Sequence, residues 1–185
     1  MGEIEDAIER ADRESFTREP PKTLQARINF LMKQLKTAKA VATELGVTAD
    51  SVNRYRRGAR KNPPKDIADK IDAAVRSRWQ PQVRKRRRKQ AAATTGITVE
   101  TRARFGYTAP IGTTDDGRFR RLTVHLPPAY AQRLFDARDT GASDQEMRGI
   151  IAEGFKEVYF QDGGARAMGL SDVAINDIDY LDLDF

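Results

Sequence analysis

The chain has 185 residues, long enough to bury the core of one large domain or two small ones. It has no cysteine and one histidine, His125, which excludes disulfides, thiolate metal sites and multi-histidine metal sites. Its formal charge of +6 hides an asymmetry: residues 1–93 carry 23 Lys/Arg against 12 Asp/Glu, whereas residues 94–185 carry 10 against 15.

A basic first half suits phosphate binding, where each contact releases condensed counterions. The acidic second half points instead to protein partners. No uncharged run exceeds about ten residues, far short of the roughly 20 that span a bilayer. The acidic, amphipathic N-terminus is unlike a signal or transit peptide. The expectation is a cytoplasmic protein with no membrane association.

Ile4, Ala7, Ile8 and Ala11 keep helical spacing and predict a short helix over 2–13. After Pro20-Pro21, Thr23 can cap a second helix with Leu24, Ile28, Leu31 and Leu35 on one face. Residues 37–57 then read as a helix-turn-helix, the most specific pattern in the chain. Ala42 is the small residue at the helix crossing, Gly46 supplies the positive φ of the turn, and Val52 packs the second helix back. Thr48 can cap that second helix. Asp50, Ser51, Asn53 and Arg54 fall on its exposed early face, where Asn and Arg can read adenine and guanine edges. Arg56 and Arg57 end it before Gly58, and Arg60 and Lys61 extend the basic stretch. Pro63-Pro64 opens a further helix ending near Trp79.

Six cations follow in a row, Arg84, Lys85, Arg86, Arg87, Arg88 and Lys89. A block of like charge repels itself and is either extended or an extension of a solvated helix, so it reads as a basic linker that also tracks phosphates.

Alternation over 97–107 predicts a half-buried strand, and Leu122, Val124 and Leu126 predict another over 118–126. Pro127-Pro128 starts a helix to about Arg138. Ser143 and Glu146 form a capping box for a last helix with Met147, Ile150, Ile151 and Phe155 on its apolar face. The tail from Ser171 alternates aspartates with apolar residues, as a docking strand or a partner-binding segment would. The strand-helix-helix order also fits a ribbon-helix-helix module, with Arg121, Thr123 and His125 facing DNA. An ordinary α+β domain fits it as well.

Between the two strands lies Pro110-Ile111-Gly112-Thr113-Thr114-Asp115-Asp116-Gly117. Asp-Asp-Gly is ordinary turn chemistry, but such a loop also offers a threonine hydroxyl to a large partner. The chain as a whole resembles the telomere terminal proteins of bacterial (Streptomyces) linear chromosomes and plasmids. The likeness rests on the length, on Ala42/Gly46/Val52 and on the block Arg84-Lys85-Arg86-Arg87-Arg88. It extends to the Thr113-Thr114 loop, to the run Arg121-Leu122-Thr123-Val124-His125-Leu126-Pro127-Pro128-Ala129-Tyr130-Ala131-Gln132, and to the ending Tyr180-Leu181-Asp182-Leu183-Asp184-Phe185.

The resemblance implies covalent attachment to DNA 5′ ends and protein priming of end-patching synthesis. The linking hydroxyl falls on Thr114, with Thr113 the alternative. It also implies telomeric DNA, a telomere-associated DNA-binding protein and a DNA polymerase as partners, and a nucleoid location at replicon ends. Divalent metal and dNTP would come through that polymerase, so the chain would be a reactant with no intrinsic cofactor or metal, and not an enzyme. The competing reading is a helix-turn-helix transcriptional regulator that homodimerises through its second half.

The expected architecture is α+β, in five segments. They are an N-terminal helix or arm (1–19), a helix-turn-helix domain (20–80), a basic linker (81–95), a small α+β domain with a β-hairpin and two helices (96–170), and an acidic tail (171–185).

Overall fold

The computed structural model describes residues 2–108 and 118–185. Among them are eight α-helices and one three-stranded antiparallel sheet, so the fold is α+β. The chain divides into two units: residues Phe16–Val83, and a discontinuous one made of the chain up to Ser15 together with Arg84–Phe185. No helix among the described residues is long and apolar enough to cross a membrane.

Helices α2 (Leu24–Leu35), α3 (Ala38–Leu45), α4 (Ala49–Arg57) and α5 (Lys65–Arg78) make up the first unit. Thr23, Thr37 and Thr48 each accept a backbone N–H three residues on, satisfying donors that the first turn of a helix leaves free. Ile28, Leu31, Val41, Ala42, Leu45, Val52, Tyr55, Ile71 and Val75 fill the core between them. Thr17 and Gln80 clasp the unit's two ends: the Thr17 N–H donates to Gln80 Oε1 at 3.0 Å, and Gln80 Nε2 donates to Thr17 Oγ1 at 2.9 Å.

The second unit is a sheet covered on one face by helices. Strand β1 (Ile97–Thr108) lies between β2 (Arg118–Leu126) and β3 (Asp172–Asp184) in the order β2-β1-β3. Ile97, Val99, Ala103 and Phe105 point into the core from β1, Leu122, Val124 and Leu126 from β2, and Val173, Ile175, Leu181 and Leu183 from β3. Thr101 shares that inward face, fully buried, and its hydroxyl donates to the Tyr180 carbonyl at 2.8 Å. Helices α7 (Pro128–Asp139) and α8 (Asp144–Phe155) cover the sheet, and α8 carries the expected Ser143/Glu146 capping box. A Cβ on Gly154 would sit 2.8 Å from Leu126 Cδ1, so α8 passes β2 at the distance only glycine permits.

Three of the five expected segments belong to the same unit as the small α+β domain. The N-terminal arm is helix α1 (Glu3–Glu14), whose Ile4, Ala7 and Ile8 are fully buried in the core of the mixed unit. Arg10 holds it there, donating to the Leu181 carbonyl at 2.5 Å and to Asp182 at 3.1 Å. The basic linker is helix α6 (Pro81–Gln90) followed by one π-helical turn over Ala91–Thr95. A solvated extension of a helix was one form that such a block allows. The acidic tail is β3, the docked-strand alternative: its apolar residues face inward and its aspartates outward, so alternation outweighs charge.

Candidate nucleic-acid interface

The turn between α3 and α4 has the geometry that its residues call for. Gly46 takes φ 67°, ψ 37°; its N–H donates to the Thr43 carbonyl at 3.3 Å, and that of Val47 to the Ala42 carbonyl at 2.9 Å. This paired bonding ends α3 with its last carbonyls satisfied. Thr48 then caps α4, and Ala42, Val52 and Tyr55 are buried in the shared core.

The residues expected to read bases fall into two groups. Arg54 and Asp50 are exposed and pair with each other at 2.9 Å, one helical turn apart. Ser51 and Asn53 are half-buried; the Thr48 hydroxyl donates to Ser51 Oγ at 3.0 Å, and the Asn53 carbonyl accepts from Arg57 Nε at 3.3 Å. Arg56 and Arg57 are exposed, Lys61 likewise, and Arg60 lies over the Tyr55 ring at 5.7 Å.

The six-cation block is divided by helical geometry. Arg84 and Arg88, one turn apart on α6, turn inward to Asp12, which is 1% exposed. Arg88 grips it through Nη2 and, at 3.1 Å, through Nε; Arg84 Nη1 stands 3.8 Å from Oδ2. Arg88 also lies over the Phe135 ring at 5.6 Å and 3.7 Å from Asp139. Burial lowers the Arg84 pKa below its ordinary value; Asp12 opposes that, and Arg88 and Arg138 add to it. These two arginines therefore hold α6 to α1 and α7. Lys85, Arg86, Arg87 and Lys89 face solvent.

On the outward face of the sheet, sequence reading named Arg121, Thr123 and His125 and passed over Phe119 and Tyr180. Phe119 and Met168 are the large apolar side chains left exposed among the described residues, Phe119 at 45%. Phe119 lies opposite Arg104 in the β1–β2 register, and the Arg104 guanidinium stands 5.4 Å from its ring centroid. Tyr180, opposite Arg102 on β3, has the Arg121 guanidinium 5.9 Å from its ring centroid. Glu100 sits between strands, accepting from Arg121 at 2.7 Å and from the Tyr180 hydroxyl at 2.9 Å, and these bonds hold its carboxyl below the usual range. The period-two pattern that put Leu122, Val124 and Leu126 inside also puts Phe119, Arg121, Thr123 and His125 outside. That was the signal within reach. His125 meets Thr98 Oγ1 through Nδ1 at 3.1 Å, bridging the surface of two strands.

Thr113 and Thr114 lie outside the described residues, in the stretch of chain between β1 and β2. Comparison of the chain with protein-family models, with curated proteins and with solved structures finds no match.

Proposed function

We propose that the chain is a protein primer for the ends of linear DNA, a helix-turn-helix module joined to a unit that offers a threonine hydroxyl. The DNA half of this reading is carried by the glycine turn at Gly46, the capped helix behind it and the exposed Arg54, Arg56 and Arg57. Lys85, Arg86, Arg87 and Lys89 add a second solvent-facing source of phosphate contacts. The priming half rests on the resemblance to telomere terminal proteins, which spans the whole chain.

In the reaction, Thr114 Oγ attacks the α-phosphorus of a deoxynucleoside triphosphate. A threonyl phosphodiester forms, the hydroxyl proton passes to solvent, the bond between the α- and β-phosphates breaks, and pyrophosphate leaves with its electron pair. A threonine hydroxyl at neutral pH is a weak nucleophile. Its activation, and the charge on the leaving group, would be handled by divalent metal ions in a partner polymerase. Telomeric DNA and a telomere-associated DNA-binding protein would complete the assembly.

The test is transfer of an α-labelled dNTP to the protein in the presence of polymerase, with the adduct surviving SDS. Thr114→Ala should abolish labelling and Thr113→Ala should retain it; the reverse moves the linkage by one residue. No adduct on the wild-type chain in replicating cells would favour the transcriptional regulator instead.

A further inference from the structure

We propose that the outward face of the sheet binds a single strand of DNA, its phosphates along β1 and β2 and its bases stacked on Phe119 of β2 and Tyr180 of β3. Both rings stand on an open sheet face with an arginine guanidinium against each, at 5.4 Å and 5.9 Å. Stacking on aromatic rings beside cations is the chemistry by which proteins hold unpaired bases, and it tolerates any sequence because every base has a π-face. Strand spacing and rise set the two rings roughly 12 Å apart, diagonally across the sheet.

Charge favours this occupant on the β1–β2 half. On that face β2 presents Arg121 and no acid, and β1 presents Arg102 and Arg104 against Glu100 alone. Strand β3 contributes five aspartates and no cation, so a phosphate chain is confined to the other two strands. Only an unpaired base can lay its face on Phe119 or Tyr180, so the stacked occupant is a single strand and not an intact duplex.

Two of those aspartates already occupy the arginines. Asp179 stands 3.2 Å from Arg102 and Asp177 stands 3.7 Å from Arg104, all four side chains at least 46% exposed. Exposed pairs of this kind exchange readily. Phosphates would displace the two carboxylates, which act as built-in competitors.

The proposal rests on the protein-primer reading for the source of the strand: a template copied onto the linking threonine must be unpaired beside it. Phe119 lies five residues along the chain from Thr114.

The experiment is fluorescence anisotropy of labelled dT12 against the full chain, with a labelled duplex measured in parallel. Phe119→Ala should weaken dT12 binding about tenfold, the loss of one stacked base, and leave the duplex unchanged. Phe119→Trp should retain binding, and the Asp177→Asn/Asp179→Asn double variant should tighten it. Arg121→Ala should lower the salt slope for dT12 by about 0.7. A Phe119→Ala affinity within twofold of wild type overturns the proposal, as does an equal loss for duplex and single strand. Stronger binding of rU12 than dT12 assigns the face to RNA, and displacement of dT12 by poly-glutamate at equal charge assigns it to an acidic protein; either overturns the DNA assignment. Absence of duplex binding by the wild type would instead strike the helix-turn-helix reading. Retained labelling of both Thr114→Ala and Thr113→Ala would strike the priming assignment.

Discussion

Asp12→Asn should destabilise the mixed unit and leave the helical one intact. The substitution keeps the shape of the side chain and removes its charge, leaving Arg84 and Arg88 pointing at a neutral amide in a site where Asp12 was 1% exposed. Removing one partner of a buried pair costs about 3–5 kcal/mol. The two arginines keep 15% and 16% side-chain exposure, so water recovers part of the loss and the lower end, about 3 kcal/mol, is expected. For a unit of this size each kcal/mol moves Tm by roughly 4 °C, so its transition should fall by about 12 °C. Trp79, the chain's one tryptophan, lies in the helical unit, so its fluorescence follows that unit while calorimetry follows both. Replacing the cluster by Asp12→Leu, Arg84→Met and Arg88→Met together should restore most of the lost stability, since apolar side chains leave no charge to desolvate. A drop below about 1 kcal/mol in Asp12→Asn, with tighter DNA binding, would refute the reasoning. It would mean that the six cations form the solvated arm their sequence suggests.

The four outward cations should behave oppositely. Arg86→Ala/Arg87→Ala should leave Tm unchanged and lower the slope of log K against log salt by about 0.9 for each duplex phosphate that is no longer neutralised; an unchanged slope would exclude them from the interface. Tyr130 is buried and its hydroxyl donates to Glu157; burial first, then Glu157, raises its pKa above the ordinary value. The unfolded chain ionises that phenol near pH 10, so its contribution is fully present below about pH 10 and is lost as pH rises beyond it. Urea titrations should show stability falling above about pH 10 in the wild type and less steeply in Tyr130→Phe; equal slopes would show that Tyr130 is not the group responsible.

Much of the fold was legible because it is written locally. Gly46 with Thr48 and Ser143 with Glu146 are signals within a few residues, and each occupies the position that its chemistry demands. The alternation in β1 and β2 is equally local. The α+β class followed from those signals alone.

Partners far along the chain were not legible. Asp12 lies 76 residues from Arg88, and nothing near either one announces the pair. Without it, Arg84 and Arg88 read as two more cations in a run, when their spacing of four put them on one helix face. The aspartates of β3 misled in the same way: net charge suggested a tail, but Arg102 and Arg104 on the neighbouring strand receive two of them. In the candidate site, the glycine turn and the basic end of α4 were readable. Phe119 was not singled out, because an exposed aromatic gains meaning only from the arginine that the β1–β2 register sets across from it.

The docking of α1 onto β3 also sets a schedule for the new chain. Arg10 and Asp182 are 172 residues apart, and at 5–20 residues per second the ribosome needs roughly 10–35 s to make the second after the first. Throughout that interval the apolar stripe of Ile4, Ala7 and Ile8 lacks β3, the strand on which α1 packs. The helical unit is complete at Val83 and can fold long before. The portion read here as the DNA-finding part is thus finished early in synthesis. The portion that would carry the threonine closes only when the first helix and the last strand meet.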